Sequence, residues 1–457
     1  MMEAGHYIQL IIAIGLVIFA FIGSYALPLR IIFPAILIIA PFEIIDSRYG
    51  TSSTGLIYLV GLSLFLRSGI KYFPLLGAVL GIILVYFMSL SMAAVNKFDH
   101  ILYIIRIIPG FILFYIAYNY VRDAKDSAGF FSVLLVINIF IIIICTIQLV
   151  AGSQSVALFG IKEFSIMANR ESQGRLSGPF GAEFTSEYLA LANLLLAYLI
   201  INKQLIARWS TWVLWVMLSV NLGFMVATGS RGGILILVLG IFWGGYLFRY
   251  QLGTARLVKY LIGAMLTASL MTVIVIQFTN FNVLINRIES TEVKSGILDT
   301  RSVTWPVAWE AIKERPILGY GPRLRLENDM LLRIPGHKAI RYPHSLPLFL
   351  LYTLGIFGLI AYVLFFTHLL IRLYSGAKGK ADKEMSGASM LGFIILAMFL
   401  LDEIKIEFLR FMQSDYQSII FILFGGFLAM ADRARITTTN TVATRKSNSR
   451  LLNLKNT

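Results

Sequence analysis

"MVATGSRGGILILVLGIFWG", residues 225–244, sets an arginine between small polar residues and two glycines inside a stretch that is otherwise strongly apolar. Apolar runs of bilayer-crossing length flank Arg231 on both sides, and the rest of the chain repeats the pattern. Of its 457 residues 58% are hydrophobic, and the mean hydropathy is +0.79. That composition leaves too little polar surface for a water-soluble fold of this size. Apolar runs centre on residues 7–23, 28–45, 54–66, 72–95, 101–121, 129–150, 185–201, 211–228, 232–248, 257–279, 346–373, 388–408 and 416–431. The expected fold is therefore all-α, a polytopic membrane protein of about 12–13 transmembrane helices, with 54–66 the short run in doubt. The start "MMEAGH" has no basic residue and does not read as a signal peptide.

The one cysteine, Cys145, lies within "IIIICTIQLV", which excludes an intrachain disulfide and suits a packed membrane helix. The net charge of +15 does not point to nucleic acid, because the basic residues lie mainly between apolar runs. Membrane lipids or anionic lipid-linked substrates fit it better. The basic stretch 372–383 and the tail from Arg433 to Lys455 are expected on the cytoplasmic side. Alternation then places Arg231, the 151–184 stretch and the 280–344 loop outside. The loop carries ten Lys/Arg and seven Asp/Glu, a net basic surface against the usual bias. The chain divides into membrane helices over 1–279, an outer loop over 280–344, membrane helices over 345–431, and a polar tail over 432–457 expected to be disordered.

Within the loop, "DTRSVTWPVAWEAIKERPILGYGPR" places Trp305 and Trp309 at helical spacing, then a stop at Pro316 and a turn at Gly319 and Gly321. A short interfacial helix is predicted, starting near Thr304 as its cap so that Pro306 falls in the first turn; otherwise Pro306 kinks it. After it, "YPHSLPLFLLYTLGIFGLIAYVLFF" sets His344 and Ser345 before an apolar helix with Gly355 and Gly358.

In this order, the "TGSRGG", Arg-Trp-"GYGP" and "HS…GxxGLI" stretches resemble the O-antigen ligase and polymerase superfamily, over roughly residues 165–375. The resemblance implies a GT-C-like glycosyltransferase of the bacterial inner membrane, active on its periplasmic side, with part of the site on the outer loop. It implies an undecaprenyl diphosphate-linked glycan as donor. The acceptor is lipid A-core for a ligase, or another lipid-linked repeat for a polymerase, with ligase favoured. Superfamily members commonly show His-Asn where this chain has His344-Ser345.

Such a reaction gathers negative charge on the departing diphosphate, which arginine meets with a permanently charged bidentate fork. Arg231 is the first candidate, with Thr228 or Ser230 capping a helix from Gly232 whose free N–H groups add to an anion site. Arg301 is the second, at the position where the resemblance calls for an arginine. Arg175, in "GRLSGPFGAEFTSEYLA", is the third, and Trp305 accompanies Arg301 in the substrate-binding set. Each arginine also has a plain reading: snorkelling to headgroups for Arg231, pairing with Asp299 or another nearby acid for Arg301. Arg106 is a charge two turns into an apolar run, either functional or snorkelling.

His344 is the candidate catalytic base for the acceptor hydroxyl, or a cationic phosphate ligand. His6, His100, His337 and His368 form no metal-binding spacing, so neither metal nor other cofactor is expected. Asp402, Glu403 and Glu407 in "LDEIKIEFLR" mark a helix end or partner the arginines. A secondary transporter would explain isolated intramembrane charge, but it accounts poorly for a basic, Trp-bearing outer loop between two arginine motifs.

Overall fold

The computed structural model describes residues 25–42, 46–47, 50–68, 72–92, 97–124, 127–152, 155–158, 161–167, 175–206, 208–252, 293–294, 297–322, 343–379, 382–405, 409 and 414–455, with isolated positions elsewhere. The chain is a helical bundle. Helices α1 (Leu29–Ile39), α2 (Ser52–Ser68) and α3 (Leu76–Leu90) are short and apolar, with the hairpin β1 (Asp46–Ser47) and β2 (Gly50–Thr51) after α1. Then follow α4 (Lys97–Ala124), α5 (Ser127–Ala151), the hairpin β3 (Ser155–Leu158) and β4 (Ile161–Met167), α6 (Ala182–Ile201), α7 (Thr211–Thr228) and α8 (Arg231–Leu252). A third hairpin, β5 (Val293–Lys294) and β6 (Ile297–Leu298), leads straight into α9 (Asp299–Glu314). The chain closes with α10 (Leu346–Ala377), α11 (Lys383–Glu403) and α12 (Ser414–Lys455).

Seven helices among the described residues are long and apolar enough to cross a bilayer: those within α4, α5, α6, α7, α8, α10 and α11. The all-α polytopic expectation is met. The run 54–66 forms the 17-residue helix α2, whereas the candidate runs at 7–23 and 257–279 lie almost wholly outside the described residues. The backbone of α12 continues as helix across the tail that composition marks as disordered.

Burial ranks the helices. The membrane-spanning window of α6 is 89% buried, against 28% for α8, so α6 is the inner helix and α8 a peripheral one. Leu235, Phe242 and Trp243 of α8 are correspondingly exposed, an apolar face that lipid would cover. Helix α12 packs along α4, where a Cβ at Gly110 would stand only 2.6 Å from the Phe421 ring. Missing side chains of this kind bring membrane helices into close contact without a hydrophobic driving force. Polar side chains add direction: Asn138 Oδ1 accepts from Tyr188 Oη and Asn221 Nδ2, each at 3.2 Å, tying α5, α6 and α7. Cys145 is fully buried on α5.

Helix α9 departs from the expected start. It begins at Asp299, five residues before Thr304, and takes Pro306 into its interior. Because β6 feeds directly into the helix, no loop remains for a cap at Thr304. The Thr304 hydroxyl is buried without a hydrogen-bond partner among the described residues.

Candidate functional site

The "TGSRGG" stretch is a break between two helices. Gly229 closes α7 in the left-handed region (φ 61°, ψ 20°), a conformation that glycine adopts without a Cβ penalty, and its N–H bonds Val226 O at 3.0 Å. The Thr228 hydroxyl donates to Met225 O (2.7 Å) and accepts from Ser230 N–H (3.3 Å). Thr228 therefore braces the turn and does not cap the next helix. Helix α8 begins at Arg231, one residue earlier than expected, with Ser230 buried and Arg231 exposed.

Arg175 is brought to the same turn. Its Nε–H donates to Thr228 O at 2.7 Å, and Leu176 N–H donates to Ala227 O at 3.0 Å, so "RLSG" satisfies two of the carbonyls orphaned at the end of α7. Gln148 Nε2 reaches Gly178 O at 3.0 Å, fixing this segment to α5. Arg175 is 7% exposed, which makes it a buried foundation beneath Arg231.

The third element is the end of α11. Asp402 is 1% exposed and ion-paired with Lys405, whose backbone N–H bonds Asp402 O at 2.9 Å. Glu403 is also buried and accepts from Leu409 N–H at 3.1 Å. Beside them stands Glu187, one turn into α6 and completely buried. Neither of its carboxylate oxygens has a hydrogen-bond partner among the described residues. The proposed companion Glu407 lies outside the described residues.

Lys405 joins these parts. A Cβ at Gly232 would overlap its ammonium group, so the residue after Arg231 is shaped to admit it. Its carbonyl accepts both Nε–H (3.1 Å) and Nη2–H (2.6 Å) of Arg301, which is half-buried on α9. One turn along α9, Trp305 Nε1–H donates to Pro343 O at 2.9 Å and so fixes the residue before His344. His344 is half-buried with φ 50°, the left-handed region that a residue with a side chain rarely adopts. Such strain clusters at functional sites. Ser345 then leads into α10 with extended backbone, and Pro347 falls in the first turn, where its missing N–H costs nothing.

Arg175, Ser230, Arg231, Arg301, Trp305 and His344 thus belong to one connected arrangement at one end of the bundle. Arg106 is half-buried within α4, and Trp309 is 47% exposed on α9. His100 is instead buried against Gly321. Sequence reasoning missed Lys405 and Glu187. The signal for Glu187 was present, since an acid within an apolar membrane helix is a functional candidate by default. Lys405 sits three residues from Asp402, the spacing of an ion pair on one helix face.

The "GYGP" turn has a different role from the arginines. Helix α10 breaks at Gly355 (φ 67°, ψ −165°). Ile356 N–H, which an unbroken helix would give to Tyr352 O, goes to Pro316 O at 2.8 Å. Tyr320 N–H and Gly321 N–H take the freed carbonyls of Tyr352 and Thr353, each at 2.9 Å. The Tyr320 ring stacks on Tyr352 with centroids 4.9 Å apart, and the Ser89 hydroxyl lies 2.8 Å from both Leu318 O and Thr353 O. The two glycine motifs are halves of one joint that docks the stretch after α9 on α10.

Residues 216–363 match the family model described as O-antigen ligase. No curated protein matches the chain. The matched segment runs from within α7 to within α10, and it contains Ser230, Arg231, Arg301, Trp305, His344 and the whole joint. Arg175, Glu187 and Lys405 fall outside it. Over that segment the chain is similar to the O-antigen ligase family, which supports a place in the O-antigen ligase and polymerase superfamily.

Proposed function

We propose that the protein transfers a glycan from undecaprenyl diphosphate to an acceptor hydroxyl on the periplasmic side of the inner membrane, as an O-antigen ligase with lipid A-core as acceptor. The observation that carries the reading is the linkage of Arg231, Arg301 and His344 through Lys405, Gly232 and the Trp305–Pro343 bond. Two arginines and a histidine from three separate stretches of sequence are linked in one arrangement that could receive an anionic leaving group. In the reaction the bond from the anomeric carbon to the diphosphate oxygen breaks and one from the acceptor oxygen forms. The diphosphate leaves with the bonding electrons, stabilised by Arg231 and Arg301, and His344 takes the acceptor proton. Arg175 holds the Arg231 turn from below, and Ser230 and Trp305 position the two arginine elements.

An apolar cavity supports a lipid-linked donor. It is lined by Leu346, Pro347, Leu350, Leu359, Tyr362 and Phe366 of α10, with Glu403 at the end of α11 and Ile404 just beyond it. It begins two residues beyond His344 and one residue from Lys405. The arginines and helix N-terminus supply the charge stabilisation that a metal supplies elsewhere, so the transfer is read as metal-independent and should persist in excess EDTA.

The test is incubation of purified protein with undecaprenyl diphosphate-linked glycan and candidate acceptors. A lipid A-core conjugate is the expected product. Lengthened lipid-linked glycan would make the protein a polymerase, and no product with either acceptor would overturn glycan transfer itself.

A further inference from the structure

Lys405 is not used by the chemistry above, and it lies outside the segment matched to the family. Three observations give it more than the task of neutralising Asp402. Its ammonium occupies the space that a side chain at position 232 would fill, immediately beside Arg231. Its carbonyl holds the Arg301 guanidinium through two N–H bonds, so residue 405 sits between the two arginines. Its side chain is 30% exposed while Asp402 is 1% exposed, so the lysine, unlike its carboxylate partner, is not fully buried.

The charge beneath it matters as well. Glu187, Asp402 and Glu403 are all buried within reach of one another, and the Glu187 oxygens have no hydrogen-bond partner among the described residues. Lys405 is the cation that stands between these acids and Gly232, paired with Asp402. An ammonium carries three N–H donors, so one can serve Asp402 and another a phosphate oxygen.

Resting on the reading of this mouth as a diphosphate site, we propose that Lys405 is a third cationic ligand of the donor diphosphate, bridging Arg231 and Arg301, with Asp402 holding it in place. The ligand class is a polyprenyl diphosphate, and the contact is a charge-assisted hydrogen bond from Nζ. Lysine suits the position because a compact ammonium fits over Gly232, whereas a planar fork needs more room.

The experiment measures binding of undecaprenyl diphosphate to the full chain in detergent, with thermal unfolding monitored alongside. Lys405→Met should weaken binding about tenfold, the scale of a lost hydrogen bond between charged groups, and should raise the donor KM more than it lowers kcat. Lys405→Cys should bind equally weakly, then regain affinity after alkylation with 2-bromoethylamine rebuilds an ammonium on the thioether. Buried Cys145 is shielded from the reagent. The before-and-after comparison on one polypeptide serves even if the methionine variant folds poorly. Unchanged affinity in Lys405→Met, or no recovery on aminoethylation, would overturn the proposal. Arg231→Ala is the control: if it loses affinity while Lys405→Met does not, this proposal alone fails. If neither loses affinity, the diphosphate reading of the mouth falls too.

Discussion

The glycine joint and the cationic mouth both engage the region of α9, and their polar groups are treated in opposite ways. At the joint, backbone groups freed by the break at Gly355 find new partners: Pro316 O takes Ile356 N–H, and Tyr320 and Gly321 fill the carbonyls of Tyr352 and Thr353. At the mouth, Glu187 is buried with both oxygens unmatched among the described residues, and His344 is held at φ 50°. Buried polar groups left unsatisfied cost about 1–3 kcal/mol each. The joint has the character of a structural fastening, and the mouth the character of a site kept ready for a charged guest. Substitutions should therefore separate the regions: at the mouth activity falls while the fold survives, and at the joint the reverse holds.

The largest effect is expected at the arginines. Arg231→Ala and Arg301→Ala should each lower transfer by about 10²–10³-fold, the cost of removing one donor from a developing anion, with membrane insertion and unfolding temperature unchanged. Lysine at either position should recover little, since a point charge lacks the bidentate fork. Near-normal yield from Arg231→Ala in a complementation assay would erase the distinction between the regions.

His344→Ala should follow, with loss of about 10²-fold or more if it removes a general base. A neutral imidazole acting as base predicts a rate that falls as pH is lowered from about 8.5 to about 5.5, with donor binding preserved in the variant. A cationic phosphate ligand predicts the opposite trend and a binding defect. Measuring rate and donor affinity across that range separates the two.

Joint substitutions should register in stability. Gly355→Ala puts a Cβ onto Ile317 O and forces alanine into the left-handed region, a destabilisation of about 3 kcal/mol. Gly319→Ala places a Cβ 2.6 Å from Tyr352 O at φ 64° and should act in the same direction. Whatever folded protein remains should turn over normally. The smallest effect belongs to Asp382, whose side chain caps α11 by accepting Met385 N–H at 3.0 Å. Asp382→Ala should cost about 1 kcal/mol and leave activity untouched.

Much of this was legible in the sequence, for reasons that also explain the gaps. Long apolar runs state their own secondary structure, so α4 to α8 and α10 to α11 fall close to where hydropathy places them. The ordered motifs picked out Arg231, Arg301, Trp305 and His344 because unusual residues at apolar boundaries are conspicuous. The pairing of Pro316–Gly321 with Tyr352–Ile356 was not legible, since backbone bonds across 30 or more residues leave no periodic trace. The α9 boundary was missed because the start rule assumes a free loop ahead of Pro306, and β6 leaves none. Lys405 went unread because its importance lies in a space made by Gly232, some 170 positions away in the chain.

The joint and the Trp305–Pro343 bond also set where the protein can be recombined. One ends at Pro322, just past the joint, and the other begins at Pro343, held by Trp305. A splice at those two prolines leaves Arg301, Trp305 and the break at Gly355 on the host side of the junctions. Chimeras spliced at those two prolines would test whether acceptor preference travels with the transplanted segment while the donor chemistry stays with the host.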